Sequence, residues 1–145
     1  MARLYYRGMA EENGKPKIGR NARLLGVRPA IDVEQVPKEW LDEQGYLRLE
    51  TERKSSEESV TVAIRNTKGM SVSLSIESLP PFRKPPTFGG TGKDPLWQID
   101  DSKIVGDIEA IQDSPTHVSI LPSATMLLEK YETALAQTQS EWEKV

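Results

Sequence analysis

Arg7, Ser71 and His117 are the residues whose types could together support chemistry. The Arg7 guanidinium could anchor a carboxylate or a phosphate, although an exposed charge at the end of a strand is the simpler interpretation. Ser71 could donate a hydroxyl from the floor of a cleft, or it could face solvent. His117 is the only histidine, the residue type that most readily exchanges a proton near neutral pH, and it could equally be a structural hydrogen-bonding residue. No histidine–acid pair at recognisable spacing supports a serine nucleophile, so we do not expect a serine hydrolase.

A proline- and glycine-rich segment, residues 79–97, carries aromatic and basic side chains on a restricted backbone. It holds five of the ten prolines and three of the ten glycines, so it cannot form a long helix or a central strand. Phe88 and Trp97 could stack on a flat ligand ring, or they could belong to the core. The Gly-Lys pair of this segment is not part of a P-loop, because Thr87 and Asp94 occupy positions where that motif needs glycine and serine or threonine. The glycines alone favour a structural turn.

Hydrophobic periodicity predicts several short strands and one longer helix. The strands fall at residues 3–7, 46–50, 60–64, 70–76, 96–99 and 117–121. A turn at 66–69 would join the third and fourth of these strands as a hairpin. In the strand at 70–76 the apolar residues should face the core and the serines should face away from it. The helix is predicted to begin after Ser123 and to continue towards the C-terminus.

These elements predict an α+β architecture, with short mixed or antiparallel strands, long structured loops and a C-terminal helix. The length of 145 residues favours a single domain spanning residues 1–145. A short helix is expected at residues 37–44, and an exposed polar loop at residues 53–59. Residues 107–111 carry no decisive pattern.

Composition and charge exclude several classes of site. The absence of cysteine excludes a disulfide scaffold and a thiolate zinc site, and a single histidine excludes a histidine-rich metal site. The net charge of −3 does not favour general binding to nucleic acid. The first 30 residues are nevertheless basic, with seven basic and two acidic residues, which indicates either a solvated face or a local site for a small anion or phosphate.

The sequence also bears on where the protein acts. No apolar run of 18 residues is present, so no membrane span is expected. The N-terminal residues lack the apolar core of a signal peptide. We therefore expect a cytoplasmic protein, or one delivered into the cytoplasm of a target cell without a classical signal peptide.

Three short motifs together resemble one protein family. They are Tyr5-Tyr6-Arg7-Gly8, Gly69-Met70-Ser71-Val72 and Thr116-His117-Val118-Ser119-Ile120-Leu121-Pro122. In this order they resemble small bacterial toxins with an ADP-ribosyltransferase-like fold, including effectors delivered by type VI secretion. The order is also similar to the wider transferase pattern of an arginine on the first strand, a serine on a middle strand and a third element near the end.

The resemblance implies a toxin with an ADP-ribosyltransferase-like fold that uses NAD as its substrate and acts on an intracellular target. A cognate immunity protein is the implied partner. Arg7 would bind the NAD diphosphate, with Arg20 or Arg23 helping. Phe88 or Trp97 would stack on the nicotinamide ring.

The same resemblance implies a catalytic set of Arg7, Ser71 and His117. Cleavage of the nicotinamide–ribose bond builds positive charge on the ribose, so the site needs groups that stabilise an oxocarbenium ion. Ser71 would brace the arginine-bearing strand or the ribose, and His117 would lie beside the ribose or the nicotinamide.

The sequence departs from the transferase pattern at the late strand, where many of these enzymes carry a glutamate and this chain has no acid. Candidate substitutes are Asp94, Asp100, Asp101 and Asp113, whereas Glu129 falls on the predicted helix. The missing acid keeps open a non-catalytic protein-interaction module on the same fold, which would present the aromatic residues of segment 79–97 to a partner. An RNA-processing transferase is a third alternative, and the acidic total charge counts against it.

Overall fold

The computed structural model of the protein describes residues 3–44, 46–52, 62–63 and 69–145. The strands within these ranges are β1 (Leu4–Gly8), β2 (Glu11–Glu12), β3 (Lys15–Pro16), β4 (Val62–Ala63), β5 (Met70–Ser73), β6 (Leu96–Asp100), β7 (Ile108–Gln112), β8 (His117–Pro122), β9 (Met126–Leu127) and β10 (Glu143–Lys144). One α-helix, α1 (Leu128–Gln137), lies near the C-terminal end of the described chain. Short 3-10 turns cover Lys38–Trp40, Glu50–Glu52, Pro81–Arg83, Pro86–Phe88, Asp101–Lys103 and Gln139–Glu141.

Six strands form an antiparallel sheet in the order β10-β6-β1-β5-β8-β7. β1 pairs along its whole length with β6, and β5 pairs along its whole length with β8. By contrast, the recorded pairing of β1 with β5 is the single pair of Tyr6 with Ser73. The two halves of the sheet therefore meet at a narrow seam.

The core lies on one face of this sheet and beneath α1. Alternate residues of the central strands, among them Tyr5, Val72 and Ile120, are buried in one core cluster that also contains residues of the helix. Tyr131 of α1 is fully buried, and its hydroxyl donates a hydrogen bond to the carbonyl oxygen of Ile120 (2.5 Å) and accepts one from the amide of Met70 (3.1 Å). These two bonds hold the helix to β5 and β8 together.

The α+β prediction is confirmed, as are the strands predicted at 3–7, 96–99 and 117–121. The undecided residues 107–111 lie in and around β7. The helix begins at Leu128 and not directly after Ser123, because β9 intervenes and pairs with β4.

The predicted hairpin between residues 60–64 and 70–76 is wrong. Both edges of β5 are occupied, one by β1 and the other by β8, while Val62 and Ala63 pair with β9. Alternation identified the strands but carried no information about which strand each would pair with. The predicted turn at 66–69 lies mostly outside the described residues.

Two weaker predictions also differ from the structure. The short helix expected at 37–44 is the 3-10 turn Lys38–Trp40, and the strand expected at 46–50 contributes one isolated bridge, between Leu41 and Leu47. The exposed loop expected at 53–59 lies outside the described residues. Within the part of the chain that the structure describes, no helix is long and apolar enough to cross a membrane, and no group of three or more acidic or histidine side chains is arranged to hold a metal ion.

Candidate functional site

A cavity of about 280 Å³ opens at the seam between β1 and β5. The strands pair at Tyr6 and Ser73, and no further pairing joins them towards Arg7 and Gly8 in the described residues. The walls come from β1, β5, the start of β8, the loops around residues 22–32, and the beginning of segment 79–97. The lining residues are Tyr6, Arg7, Gly8, Ala22, Arg28, Asp32, Met70, Ser71, Val72, Ser73, Ser78, Leu79, Pro80, Arg83, Thr116 and His117.

Arg7 is the buried cation of this cavity, with 8% of its surface exposed. Its Nη1 donates to the carbonyl oxygen of Ser71 (2.7 Å), and its Nη2 donates to those of Ala22 (3.1 Å) and Leu24 (2.9 Å). The guanidinium thereby bridges the gap between β1 and β5 and ties both strands to the loop at 22–24. Its Nε–H is buried and has no partner among the described residues. A buried donor without an acceptor is uncommon, and it adds to the free-energy cost of burying this cation.

The cavity carries net positive charge. Burial, followed by the nearby charge of Arg83, lowers the pKa of Arg7 to about 10, so the guanidinium remains charged at neutral pH at a free-energy cost. Arg28 also lines the cavity, and Asp32 is the acidic side chain among the described lining residues. Three cations against one carboxylate favour an anionic ligand, which would offset the cost of burying Arg7.

Asp32 and Arg28 form an ion pair across one turn of the loop. The Arg28 Nη2 and Nε donate to the two carboxylate oxygens at 3.0 and 3.1 Å, and the Arg28 amide donates to the same carboxylate at 2.7 Å. Partial burial alone would raise the pKa of Asp32, but these bonds from Arg28 lower it. Asp32 is therefore ionised at neutral pH, and its charge holds Arg28 at the cavity wall.

Ser71 and His117 lie on the same face of the sheet. Ser71 is opposite Ser119 in the β5–β8 pairing and His117 is opposite Ser73, and directly opposed residues of an antiparallel pair share a face. Tyr6, which is opposite Ser73 on β1, joins them there. A hydroxyl, an imidazole and a phenol ring therefore border one cavity, with the Arg7 guanidinium at the gap beside them.

The wall formed by segment 79–97 is a compact loop held by backbone contacts. The Thr91 amide donates to the carbonyl oxygen of Pro81 (2.8 Å), and the Gly92 amide donates to that of Lys84 (2.9 Å). A Cβ at Gly90 would lie 2.0 Å from the Lys84 carbonyl oxygen, and one at Gly8 would lie 2.3 Å from that of Arg83. Glycine is required at both positions because another backbone segment passes too close for any side chain.

Comparison with known proteins identifies the family of this chain. A family model described as "Tse2 ADP-ribosyltransferase toxin" matches residues 4–144, which is nearly the whole chain. The chain belongs to this family. No curated protein and no solved structure matches it.

Membership of the Tse2 ADP-ribosyltransferase toxin family confirms the resemblance drawn from the three sequence motifs. This membership supports the prediction that the protein is an effector toxin with an ADP-ribosyltransferase-like function. ADP-ribosyltransferases use NAD as their substrate. The motif residues Arg7, Ser71 and His117, which are far apart in sequence, line the same cavity.

Arg20 and Arg23, predicted to help bind the diphosphate, do not line the cavity. Arg20 pairs with Glu132 of α1 and Arg23 pairs with Asp94, each at 2.7 Å through Nε, and both arginine side chains are more than half exposed. Each of these arginines therefore forms an ion pair at the surface of the protein and does not contribute its charge to the cavity. Asp94, a candidate substitute acid, is occupied by the second of these pairs.

Phe88 and Trp97, predicted to stack on nicotinamide, also lie elsewhere. Trp97 is 1% exposed in the core, and its Nε1 donates to the carbonyl oxygen of Met9 (2.9 Å). Because the side chain is almost fully enclosed by the core, no ring face is available to the cavity. Phe88 is half-buried in the 3-10 turn Pro86–Phe88 and does not line the cavity. Segment 79–97 contributes Leu79, Pro80 and Arg83 instead.

Sequence reasoning missed several lining residues. Arg28 and Asp32 were visible as an i, i+4 pair of opposite charge, a spacing that permits contact across one turn, but the surrounding loop pattern gave no reason to place them at the site. Arg83 was noted as part of a cationic segment but was not assigned a role. Tyr6 was hidden in an aromatic run whose neighbour Tyr5 faces the core.

Proposed function

We propose that the protein binds NAD in the cavity at the β1–β5 seam and transfers ADP-ribose to a target inside another cell. The observation that carries this proposal is that the buried cation Arg7 lines one cavity together with Ser71 and His117. Membership of the Tse2 ADP-ribosyltransferase toxin family supplies the reaction class. The proposal includes an ADP-ribosyltransferase-like fold for residues 1–145 as a single domain.

The cation distribution suits a dinucleotide. A volume of about 280 Å³ is close to the lower end of ligand pockets, roughly 300–1,000 Å³, and would hold the nicotinamide and its ribose. The diphosphate would then lie towards Arg7, Arg28 and Arg83, whose positive charges attract phosphate oxygens. Tyr6 takes the stacking role first assigned to Trp97 and Phe88.

In the proposed reaction, the bond between the ribose anomeric carbon and the nicotinamide nitrogen breaks, and the electron pair leaves with nicotinamide. The ribose carbon becomes an oxocarbenium ion, which the target's nucleophile attacks, and the nucleophile loses its proton. Ser71 would hold the ribose through its hydroxyl, and the His117 imidazole would accept a hydrogen bond or the released proton. Arg7 would fix the diphosphate, so that departure of nicotinamide leaves the reacting carbon in place.

The proposal extends to partner and location. We expect a cognate immunity protein as partner and an intracellular target, and we do not expect general binding to nucleic acid.

The alternative function, a protein-interaction module, has one observation in its favour. Phe82 is 63% exposed beside the cavity, and the Arg83 guanidinium lies 5.0 Å from the centre of its ring. A protein partner could bind that aromatic residue without any chemistry in the cavity.

Conditional expression in bacteria tests the proposed function. Expression of the intact chain should arrest growth, and His117→Ala should relieve the arrest, because loss of a proton-transfer group costs about 10²–10⁴-fold in rate. Ser71→Ala should also relieve it, because it removes the hydroxyl that would hold the ribose in place. Arg23→Ala is the matched control, since its side chain lies outside the cavity, and it should remain toxic.

Two outcomes of this experiment would count against the proposal. If both cavity variants arrest growth as fully as the intact chain, the cavity is not the toxic site. If the intact chain is harmless while folded and abundant, the interaction module is favoured. Circular dichroism of each purified variant would show whether relief of toxicity comes from unfolding.

A further inference from the structure

Asp113 contacts His117 across the turn that joins β7 to β8. The Asp113 amide donates to the carbonyl oxygen of His117 (3.1 Å), and the Asp113 Oδ1 lies 2.5 Å from the His117 Nδ1. The second carboxylate oxygen, Oδ2, accepts a hydrogen bond from the Ser119 hydroxyl at 2.8 Å. Both oxygens of Asp113 are thus committed, one to the imidazole and one to β8.

We propose that Asp113 is a positioning residue that keeps the His117 proton on Nδ1 and leaves Nε2 as a bare acceptor for a ligand in the cavity. An ionised carboxylate accepts hydrogen bonds and cannot donate them, so the nitrogen that faces it must carry the hydrogen. The other ring nitrogen of a neutral imidazole then has a free lone pair. His117 lines the cavity and Asp113 does not. In the proposal the ring edge opposite Nδ1 is the one that meets the ligand.

The electrostatics of Asp113 agree with this assignment. Partial burial alone would raise the pKa of its carboxyl group, but the hydrogen bonds from His117 and Ser119 lower it, so the carboxylate is ionised at neutral pH. The Ser119 bond also restricts rotation of the carboxylate. Since Ser119 is 8% exposed, this bond is protected from water better than the imidazole is.

A purely stabilising role accounts poorly for this arrangement. The side chains of His117 and Asp113 are 39% and 46% exposed, and ion pairs at such exposure contribute about 0–1 kcal/mol to stability. The same contact fixes the orientation of the one imidazole in the protein. Its larger effect is therefore expected on the cavity and not on folding.

The functional part of this inference rests on the proposed NAD site. With a bare Nε2, His117 accepts a hydrogen bond from a ribose hydroxyl, or receives the proton of an attacking nucleophile. With the opposite tautomer, Nε2 would present a hydrogen and could do neither. Asp113 is thus an acid in contact with a cavity residue. It lies in the turn between β7 and β8, and not at the late-strand position where the transferase pattern has a glutamate.

Nitrogen-15 NMR of the imidazole tests the tautomer without reference to activity. The chain contains one histidine, so both ring nitrogens are identified without further assignment. Above neutral pH the intact protein should show a protonated-type Nδ1 and an unprotonated-type Nε2. Asp113→Ala should move the population towards the proton on Nε2, the tautomer that a free histidine side chain prefers in water. Asp107→Ala is the matched control, because the Asp107 side chain is 47% exposed and is 3.9 Å from Lys130.

NAD titration of the same three proteins tests the functional part. Asp113→Ala should weaken NAD binding by about tenfold, the equivalent of one lost hydrogen bond, and Asp107→Ala should leave it unchanged. An intact protein with its proton on Nε2, or an Asp113→Ala protein that keeps it on Nδ1, would overturn the tautomer assignment. A changed tautomer with unchanged NAD affinity would overturn the link to the cavity. Failure of the intact protein to bind NAD would refute the proposed function and leave the tautomer result standing.

Discussion

Replacement of Arg7 by methionine should lower the free energy of unfolding by about 2–4 kcal/mol. Methionine keeps most of the apolar volume but removes every donor, so the carbonyl oxygens of Ser71, Ala22 and Leu24 lose their partner. Each unsatisfied buried acceptor costs about 1–3 kcal/mol, and relief of the buried charge offsets part of the sum. Arg7→Lys should also be destabilising, because an ammonium cannot reach three carbonyl oxygens in the same plane.

The measurement is denaturant unfolding of the intact protein and the two Arg7 variants. Arg23→Met is the matched control: the Arg23 side chain is exposed, so solvent screens its ion pair with Asp94 and its loss should change stability little. Equal stability of Arg7→Met and the intact protein would show that the guanidinium does not hold the seam. NAD affinity of the variants is informative only at denaturant-free conditions where each is folded.

Gly8→Ala should displace the loop that forms one wall of the cavity and cost about 1–3 kcal/mol of stability. The new Cβ would lie 2.3 Å from the carbonyl oxygen of Arg83, which is backbone and cannot rotate away. The loop at residues 81–92 must therefore shift as a unit, because hydrogen bonds and further close glycine contacts hold it together. Arg83 would move with it, and both stability and NAD affinity should fall.

Gly89→Ala separates the two effects. A Cβ at Gly89 meets nothing within 4 Å, but its φ of +85° is strained for any side chain, at a cost of about 1–2 kcal/mol. Gly89 does not line the cavity, so this variant should lose stability and retain NAD affinity. Loss of NAD affinity in Gly89→Ala equal to that in Gly8→Ala would mean that general destabilisation, and not the wall beside Gly8, controls binding.

The local sequence pattern predicted where the strands lie better than it predicted which strands pair with each other. The strands that contain Arg7 and His117 were recognised because aromatic and branched residues are concentrated there, which is a property of a few adjacent residues. The partner of β5 was missed because pairing depends on chain segments more than 40 residues away, namely β8 and β1. The narrow β1–β5 seam, which creates the cavity, has no local signature.

The candidate site shows the same division. Arg7, Ser71 and His117 were found from their motifs, and the structure brings them to one cavity. Trp97 lies in the core and not in the cavity. The local sequence of a short strand does not show whether an aromatic residue faces the core or a cleft. Arg20 and Arg23 lie outside the cavity, which the basic segment does not reveal because their ion-pair partners, Glu132 and Asp94, are distant in sequence. The glycines of segment 79–97 determine its path, while its aromatic residues lie outside the cavity.

Isothermal titration of NAD into the folded protein tests the central claim most directly. The account predicts saturable binding that weakens at least tenfold in Arg83→Ala, through loss of a charge-assisted hydrogen bond from the cavity wall. Arg23→Ala, which removes an arginine outside the cavity, should bind NAD as the intact protein does. Absence of binding at millimolar NAD by the folded, intact protein, or equal affinity in Arg83→Ala and Arg23→Ala, would contradict the assignment of the β1–β5 cavity as the NAD site.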